Sequence, residues 1–339
     1  MATLSTGQLT LADYAKRMSP DGKIDPVAEL LSQQNDILED IVFKEANQPT
    51  SHVVGIRTGL PAVYWRQYNA GVPSSKSTTA QITEPCAMLE ARSHIDAKLL
   101  ALNGNSAAFR LSEESAFIEA MGQEMTSKIF NGNVGADMKT FSGLATRYSS
   151  TTAGNGNNVI LAGGAGSDNA SIYLVVWGEQ TVFSPFPKGS RAGLSSRDLG
   201  EESVSDGNGG WYQAARSLFQ WDAGLVVKDW RYVVRIANVD VSDWIGVTGS
   251  QATTAATNAV KLMTRALARI PNMRMGRAAF YANRSIQEGL MIQALEKSNA
   301  ALGIQPALTQ FGQNIQQLTF LGVPVRGVDG LGIAETLVS

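Results

Sequence analysis

The stretch from Ala107 to Phe130, AAFRLSEESAFIEAMGQEMTSKIF, has no proline and one helical pattern from end to end. Ala107, Leu111, Ile118, Met121, Met125 and Ile129 recur at spacings of three, four or seven, which makes one side of a helix apolar. Glu113, Glu114, Glu119, Glu124 and Lys128 fall largely on the other side. Early acids and a late lysine suit the helix dipole. Asn131-Gly132-Asn133 supplies the stop, because Gly and Asn tolerate a left-handed C-cap. At about 1.5 Å per residue the rod is roughly 35 Å long. Gly122 sits in its middle at a cost of about 1 kcal/mol against alanine, which points to a bend or a close backbone neighbour. Everything before this helix has the texture of arms, and everything after it that of two compact units.

The first arm is thin. Thr10 can cap a short helix with Asp13 as its capping-box partner, and Leu11, Tyr14, Ala15 and Met18 then line one face. Ser19-Pro20-Asp21-Gly22 is a turn. Asp25-Pro26 opens a second helix through Leu31. From Asp36 the chain is expected to run extended until Asn47-Gln48-Pro49-Thr50 breaks it. These pieces cannot bury their apolar faces on one another and need a surface from elsewhere. Ser51 to Leu100 then predicts a long two-armed hairpin. His52–Ile56 and Ala62–Tyr68 form one arm, 69–77 a polar loop, and Thr78–Thr83 with Ala87–Ile95 the return. An isolated hairpin is marginal in water, so Tyr64, Trp65 and Tyr68 need a partner surface.

After the helix, Val159–Leu161, Ser171–Trp177 and Thr181–Phe183 are β-rich, with Pro185 and Pro187 pointing to an edge or loop. The acidic, Gly-rich 199–210 segment is expected to be a loop. Trp211–Trp221 and Leu225–Asn238 predict a hairpin turning at Asp222-Ala223-Gly224. The texture changes near Thr248. Gln251–Ile270 is a helix ended by Pro271, Ala278–Ala282 a short buried strand, and Ser285–Lys297 a helix capped by Asn283. Strands around Gln317–Leu321 and Val323–Val328 close the chain, making an α+β or α/β unit.

The chemistry is sparse. Among 339 residues there are 28 basic and 30 acidic, giving a net charge of −2, which argues against a dedicated nucleic-acid binder. Cys86 is the one cysteine, so no intrachain disulfide framework exists, and it is expected to be a small buried residue. The two histidines, His52 and His94, are expected to be structural, and with one cysteine they make no zinc site. No signal peptide follows Met1 and no apolar run is long enough to span a bilayer, so a soluble chain made in a reducing cytoplasm is expected. No GxSxG, Walker A or HExxH motif occurs, and no cofactor is implied. Gly163-Gly164-Ala165-Gly166 follows a strand but lacks the full phosphate-loop spacing. Glu201-Glu202 is expected to be a solvated pair.

The order of parts (arm, hairpin, long helix, sheet, α/β unit) resembles the major capsid proteins of tailed bacteriophages with the HK97 fold. The segments GLPAVYWRQYNAGVPSSKSTTAQITE, WGEQTVFSPFPKGSRAGL and FQWDAGLVVKDWRYVVRIANVD are similar to those of short-tailed phages, as are AFYANRSIQEGL and FLGVPVRGVDGL. The resemblance implies an α+β HK97-like fold with residues 1–50 as N-arm and 51–100 as the E-loop. It makes 101–247 the peripheral domain with spine helix 107–130, and 248–339 the axial domain, whose last residues return to the peripheral one. It implies a structural protein, not an enzyme, that builds hexamers and pentamers of an icosahedral head around double-stranded DNA in the host cytoplasm. Neighbour contacts are expected from Tyr64, Trp65, Arg66, Tyr68 and Lys76 of the E-loop, and from Leu11, Tyr14, Met18, Leu30 and Phe43 of the arm. A portal, a separate scaffolding protein and a decoration protein are the expected partners; the DNA would be touched weakly and without sequence specificity, and no membrane is involved. Some relatives cross-link an E-loop lysine to a neighbour's asparagine. Lys76 is at the right kind of place, but the asparagine and acid are not identifiable, so a non-covalent shell is expected.

Two other classes stay open. One is a bacterial encapsulin-type nanocompartment shell, which shares the fold. The other is a nucleotide-using enzyme built on the Gly163–Gly166 loop. A deep pocket beside a charged cluster would favour that enzyme, and an exposed sheet edge would end it.

Overall fold

Regular structure begins where the sequence caps it. A computed structural model describes residues 9–17, 31–104, 106–206, 208–242, 250–295, 302–308 and 314–339. Thr10 and Asp13 form the expected capping box: the Thr10 N–H donates to the Asp13 carboxylate at 3.0 Å, and the Asp13 N–H donates back to Thr10 Oγ1 at 3.3 Å. They open α1 (Leu11–Lys16), which is followed by α2 (Ile37–Asp40), β1 (Phe43–Glu45), β2 (Ser51–Gly59), β3 (Thr78–Pro85), β4 (Ala87–Asp96) and α3 (Ala97–Leu100). The long helix α4 spans Ser106–Asn131, and α5 spans Leu144–Arg147. Then come β5 (Val159–Leu161), β6 (Asn169–Trp177), β7 (Val182–Phe186), β8 (Ser195–Ser205), β9 (Trp211–Ala223), β10 (Val226–Val227) and β11 (Val233–Asp240). The chain closes with α6 (Ser250–Arg269), β12 (Arg277–Ala282), α7 (Arg284–Leu295), β13 (Leu302–Leu308), β14 (Asn314–Phe320) and β15 (Val323–Gly327).

Strand β6 is the centre. Every one of its residues is buried, because both faces of the sheet are covered. Side chains alternate along a strand, so Tyr173, Val175 and Trp177 join the core that holds Met121, Met125, Ile129 and Phe130 of α4. The rings of Phe130 and Tyr173 are 5.1 Å apart. Ile172, Leu174 and Val176 join a second core with Leu262, Met263 and Ala266 of α6 and Ile286 and Leu290 of α7. β6 pairs antiparallel with β11 on one side and β12 on the other. The parts before and after position 248, itself outside the described residues, therefore share one sheet.

Polar groups lock the layers. The Trp177 indole N–H donates to the Tyr281 hydroxyl at 2.8 Å, and that hydroxyl donates to Asp40 at 2.9 Å. Burial, then the Asp40 carboxylate, pushes the Tyr281 phenol well above its usual range. The last residues fold back onto the 101–247 part. The Asn238 side chain bonds both the N–H and the C=O of Val338, and the Arg235 guanidinium reaches Glu335 at 2.7 Å.

Several expectations are corrected. The Ala62–Tyr68 segment is not a strand, since regular pairing between β2 and β3 ends at Gly59 and Thr78. β4 is not part of the hairpin. The chain breaks from β3 after Pro85, and β4 pairs with β9, where Ala87, Leu89 and Ala91 pack on the main core. Of the 199–210 segment expected to be a loop, Leu199–Ser205 is strand: β8 pairs with β9 through Ser205, with Gly200 in the left-handed region (φ 76°) where the register shifts. Trp211–Trp221 and Leu225–Asn238 are not a hairpin. β9 lies in the sheet β4-β9-β8, whereas β10 and β11 belong to the central sheet. Gly224 carries the chain between the sheets, with Pro85 O only 2.6 Å from where a Cβ would stand. The long helix is there as expected, but its stripe is buried only from Met121 onward. Ala107, Leu111 and Ile118 are exposed, Leu111 by 70%. The expected helix from Asp25 to Leu31 falls mostly outside the described residues.

Candidate assembly surface

The hairpin β2–β3 leaves the body at a fixed root. Val54 packs with Phe183 and Val226. The Glu84 carboxylate takes a two-pronged ion pair from Arg147, with both N–H···O distances 2.6 Å, and Arg147 also donates to Leu225 O at 3.1 Å. Both side chains are mostly buried, so the pair pins β3 to α5. His52 sets its ring edge-on to Phe183, 5.2 Å between centroids, and its Nδ1 accepts the Asn47 N–H at 3.3 Å. Burial, then Lys44 and Lys228, lowers its pKa and favours the neutral ring. His52 is structural, as expected. His94 lies on β4 and so is not in the hairpin.

Beyond the root, residues 60–77 form a tip that runs into solvent. Trp65 is 105% exposed, Tyr68 98% and Tyr64 53%, and Arg66 and Lys76 are also exposed. Among the described residues, the tip's hydrogen bonds are internal: Ser75 Oγ to Ala62 O at 2.7 Å and Ala70 N to Gln67 O at 3.3 Å. The five E-loop residues expected at a contact thus stand together on one projecting loop.

The arm residues divide. Leu11 is exposed, whereas Tyr14 is 1% exposed and buried on its own chain. Its ring lies 4.9 Å from that of Phe109, and its hydroxyl donates to Leu102 O at 2.8 Å. Arg17 adds an ion pair to Glu113 at 2.6 Å. Phe43 sits in β1, which pairs with β7 of the same chain. The arm therefore finds part of its surface on its own body, and Tyr14 and Phe43 spend their apolar area there. Met18 and Leu30 lie outside the described residues.

Exposed Leu111 borders a cleft of about 870 Å³ between α4 and the strands β8 and β9, lined also by Arg110, Glu114, Asp198, Glu201 and Phe219. Its charges neutralise one another. Arg110 meets Asp198 at 2.7 Å and Glu114 at 2.8 Å. The hydrogen bond that Arg110 donates to Asp198 raises the Arg110 pKa, and the same bond lowers that of Asp198.

The glycine loop gives no nucleotide site. It leaves β5, an edge strand paired only with β11 among the described strands, and Gly163, Ala165 and Gly166 are exposed. The Asp168 and Asp240 carboxylates lie beside Gly166, where they would repel a phosphate. The pair Glu201 and Glu202 sits exposed on β8, with Glu202 on Arg216. Cys86 is half-buried, its thiol pushed up to about 11 by burial and then by Asp222. Among the described residues there is no metal-binding cluster of His, Cys, Asp or Glu, and no helix is long and apolar enough to cross a membrane.

No curated protein sequence matches the chain. Among solved structures it is similar to bacteriophage epsilon15, with 29% identity, all of both chains covered and a TM-score of 0.70. It also matches the bacteriophage JBD30 capsid at 11% identity, over 89% of this chain and 92% of that one, with a TM-score of 0.49. The SrpI encapsulin complex of Synechococcus elongatus PCC 7942 follows at 12% identity, covering 68% and 97%, with a TM-score of 0.47. The last two likenesses are too weak to carry an argument. The fold is the HK97-like one, as the likeness to bacteriophage epsilon15 over both full chains shows. A family model for the major capsid protein GP7 matches residues 19–339. With a projecting tip, a body built on one long helix and that match over nearly its whole length, the chain belongs to the major capsid protein GP7 family, a structural subunit of the phage virion shell.

Proposed function

We propose that the subunit assembles into hexamers and pentamers of an icosahedral head enclosing double-stranded DNA, and that residues 60–77 are its chief grip on a neighbour. One observation carries this: Tyr64, Trp65 and Tyr68 stand in solvent on a loop without contact to its own core. Each contributes up to about 1.5–3 kcal/mol when fully buried, and each contact repeats over the whole shell. In this reading residues 51–85 are the working E-loop, 1–50 the arm, 101–247 the peripheral domain and 248–339 the axial one. Leu11 is left to touch a neighbour, as are Met18 and Leu30. Tyr14 and Phe43 shape the arm from within the subunit. Scaffold, portal and decoration proteins are separate chains, and catalysis has no part.

Electron micrographs of the purified chain, alone and with its scaffold, test this. Closed shells or ring-shaped capsomers are expected. Compact monomers alone at micromolar concentration, in both preparations, would sink the proposal.

A further inference from the structure

From Trp244 to Gln287 the sequence has no aspartate or glutamate, yet it holds Lys261, Arg265, Arg269, Arg274, Arg277 and Arg284. This is a local surplus within a chain of net charge −2. The fold gathers it. Lys261, Arg265 and Arg269 recur every fourth residue of α6, about 6 Å apart along one face, while Leu262, Met263 and Ala266 hold the other face in the core. The Arg269 guanidinium donates to Val159 O at the head of β5, at 3.2 Å. Arg274 follows five residues after Arg269, beside Met273, which packs on the same core as α6. Arg277 is not in the stripe: it stands opposite Trp177, whose side chain lies in the other core, so it leaves the sheet on the α4 face.

The stripe is not neutralised. Lys261, Arg265 and Arg274 are exposed, and among the described residues none of the three has a carboxylate partner. Arg284 does, in Asp329, and stands apart. Burial lowers the Arg269 pKa, and the nearby charge of Arg265 lowers it further, as expected where cations crowd without an anion. The cleft beside Leu111 is the opposite case, since Arg110 there has two carboxylates.

We propose that this face of α6, with Arg274, binds the phosphate backbone of double-stranded nucleic acid and is the side of the subunit turned to the lumen. The lumen half rests on the shell reading above. Three arguments favour phosphate over an acidic protein. Two of the three free cations on this face, Arg265 and Arg274, are arginines, which stay charged and fit phosphate oxygens in pairs. The stripe is a row, as a polymer of regularly spaced charges requires. It also lacks an apolar anchor of the kind that centres protein interfaces: Met275 is the one large apolar side chain exposed among the described residues from 260 to 285.

The test uses the full chain as unassembled subunits and as closed shells, with a fluorescent mixed-sequence DNA duplex of about 30 base pairs as probe. With three to four phosphate contacts, affinity of the subunits should fall roughly 40- to 150-fold between 50 and 200 mM salt. The combined variant Lys261→Gln, Arg265→Gln, Arg274→Gln should lose most of the affinity at 50 mM and nearly all of the salt dependence. Arg265→Lys, Arg274→Lys should keep both, which separates charge from damage to the fold. Closed shells should leave added duplex unbound. The surface is overturned if the glutamine variant binds as the wild type does, or if a polyglutamate peptide binds more tightly than the duplex. Closed shells that bind duplex as well as subunits do would overturn the lumen assignment. A chain that builds no shells removes the shell reading, and the lumen half with it, while the subunit comparison still decides the surface.

Discussion

Single positions carry sharp consequences. At Gly122, a Cβ would meet only Leu38 Cδ1 at 3.8 Å, an ordinary contact. The glycine marks neither a close backbone neighbour nor a position that needs a left-handed conformation. Gly122→Ala should therefore stabilise the subunit by about 0.5–1 kcal/mol, as an unstrained glycine in a helix interior costs about that much. A denaturant midpoint that falls instead would show that the helix needs the glycine. At the hairpin root, Glu84→Gln leaves the mostly buried Arg147 without its counter-charge. A loss of about 3 kcal/mol is expected, as for other broken buried pairs. Adding Arg147→Met should recover part of it. If the single variant unfolds at the wild-type midpoint, the ion pair does not hold the root.

Elements were legible where their pattern is local. The helices α4 and α6 and the strands β6, β12 and β15 follow from periodicity, caps and breakers close in sequence. What failed was pairing. β4 and β9 look like halves of two hairpins but pair with each other, because their apolar sides complete one core, and no local signal carries that register. β8 was missed because its exposed edge is written in charged and small residues, as edges often are. β13 was missed as well, and Gly303 and Pro306 disguise it. The projecting tip was legible, since aromatic residues sit beside turn residues with no partner near. The own-chain docking of the arm was not, since it depends on Phe109, at the exposed end of α4. An element-scale prediction follows from that docking. Tyr14→Ala should free α1, so that trypsin cuts at Arg17 faster while the main unfolding midpoint stays put. Unchanged cleavage would mean that other contacts hold the arm.

At the scale of the molecule, a body with two cores on one sheet carries a limb that contributes nothing to either. Folding and assembly are thus separable in the chain. The shell should also be held without covalent bonds. Cys86 is half-buried with its thiol pushed up to about 11, and no asparagine and acid partners for Lys76 are identifiable in the sequence. Boiled particles on a reducing denaturing gel should give one band at the 36.1 kDa subunit mass, and a ladder of multimers would show that Lys76 reacts. The most direct measurement replaces Tyr64 to Thr79 by a short Gly-Ser turn and follows the variant by thermal melting and by sedimentation. The account predicts one cooperative transition close to that of the unassembled wild-type subunit, and no closed shells. Normal shells from the shortened chain, or a subunit that no longer folds, would contradict it.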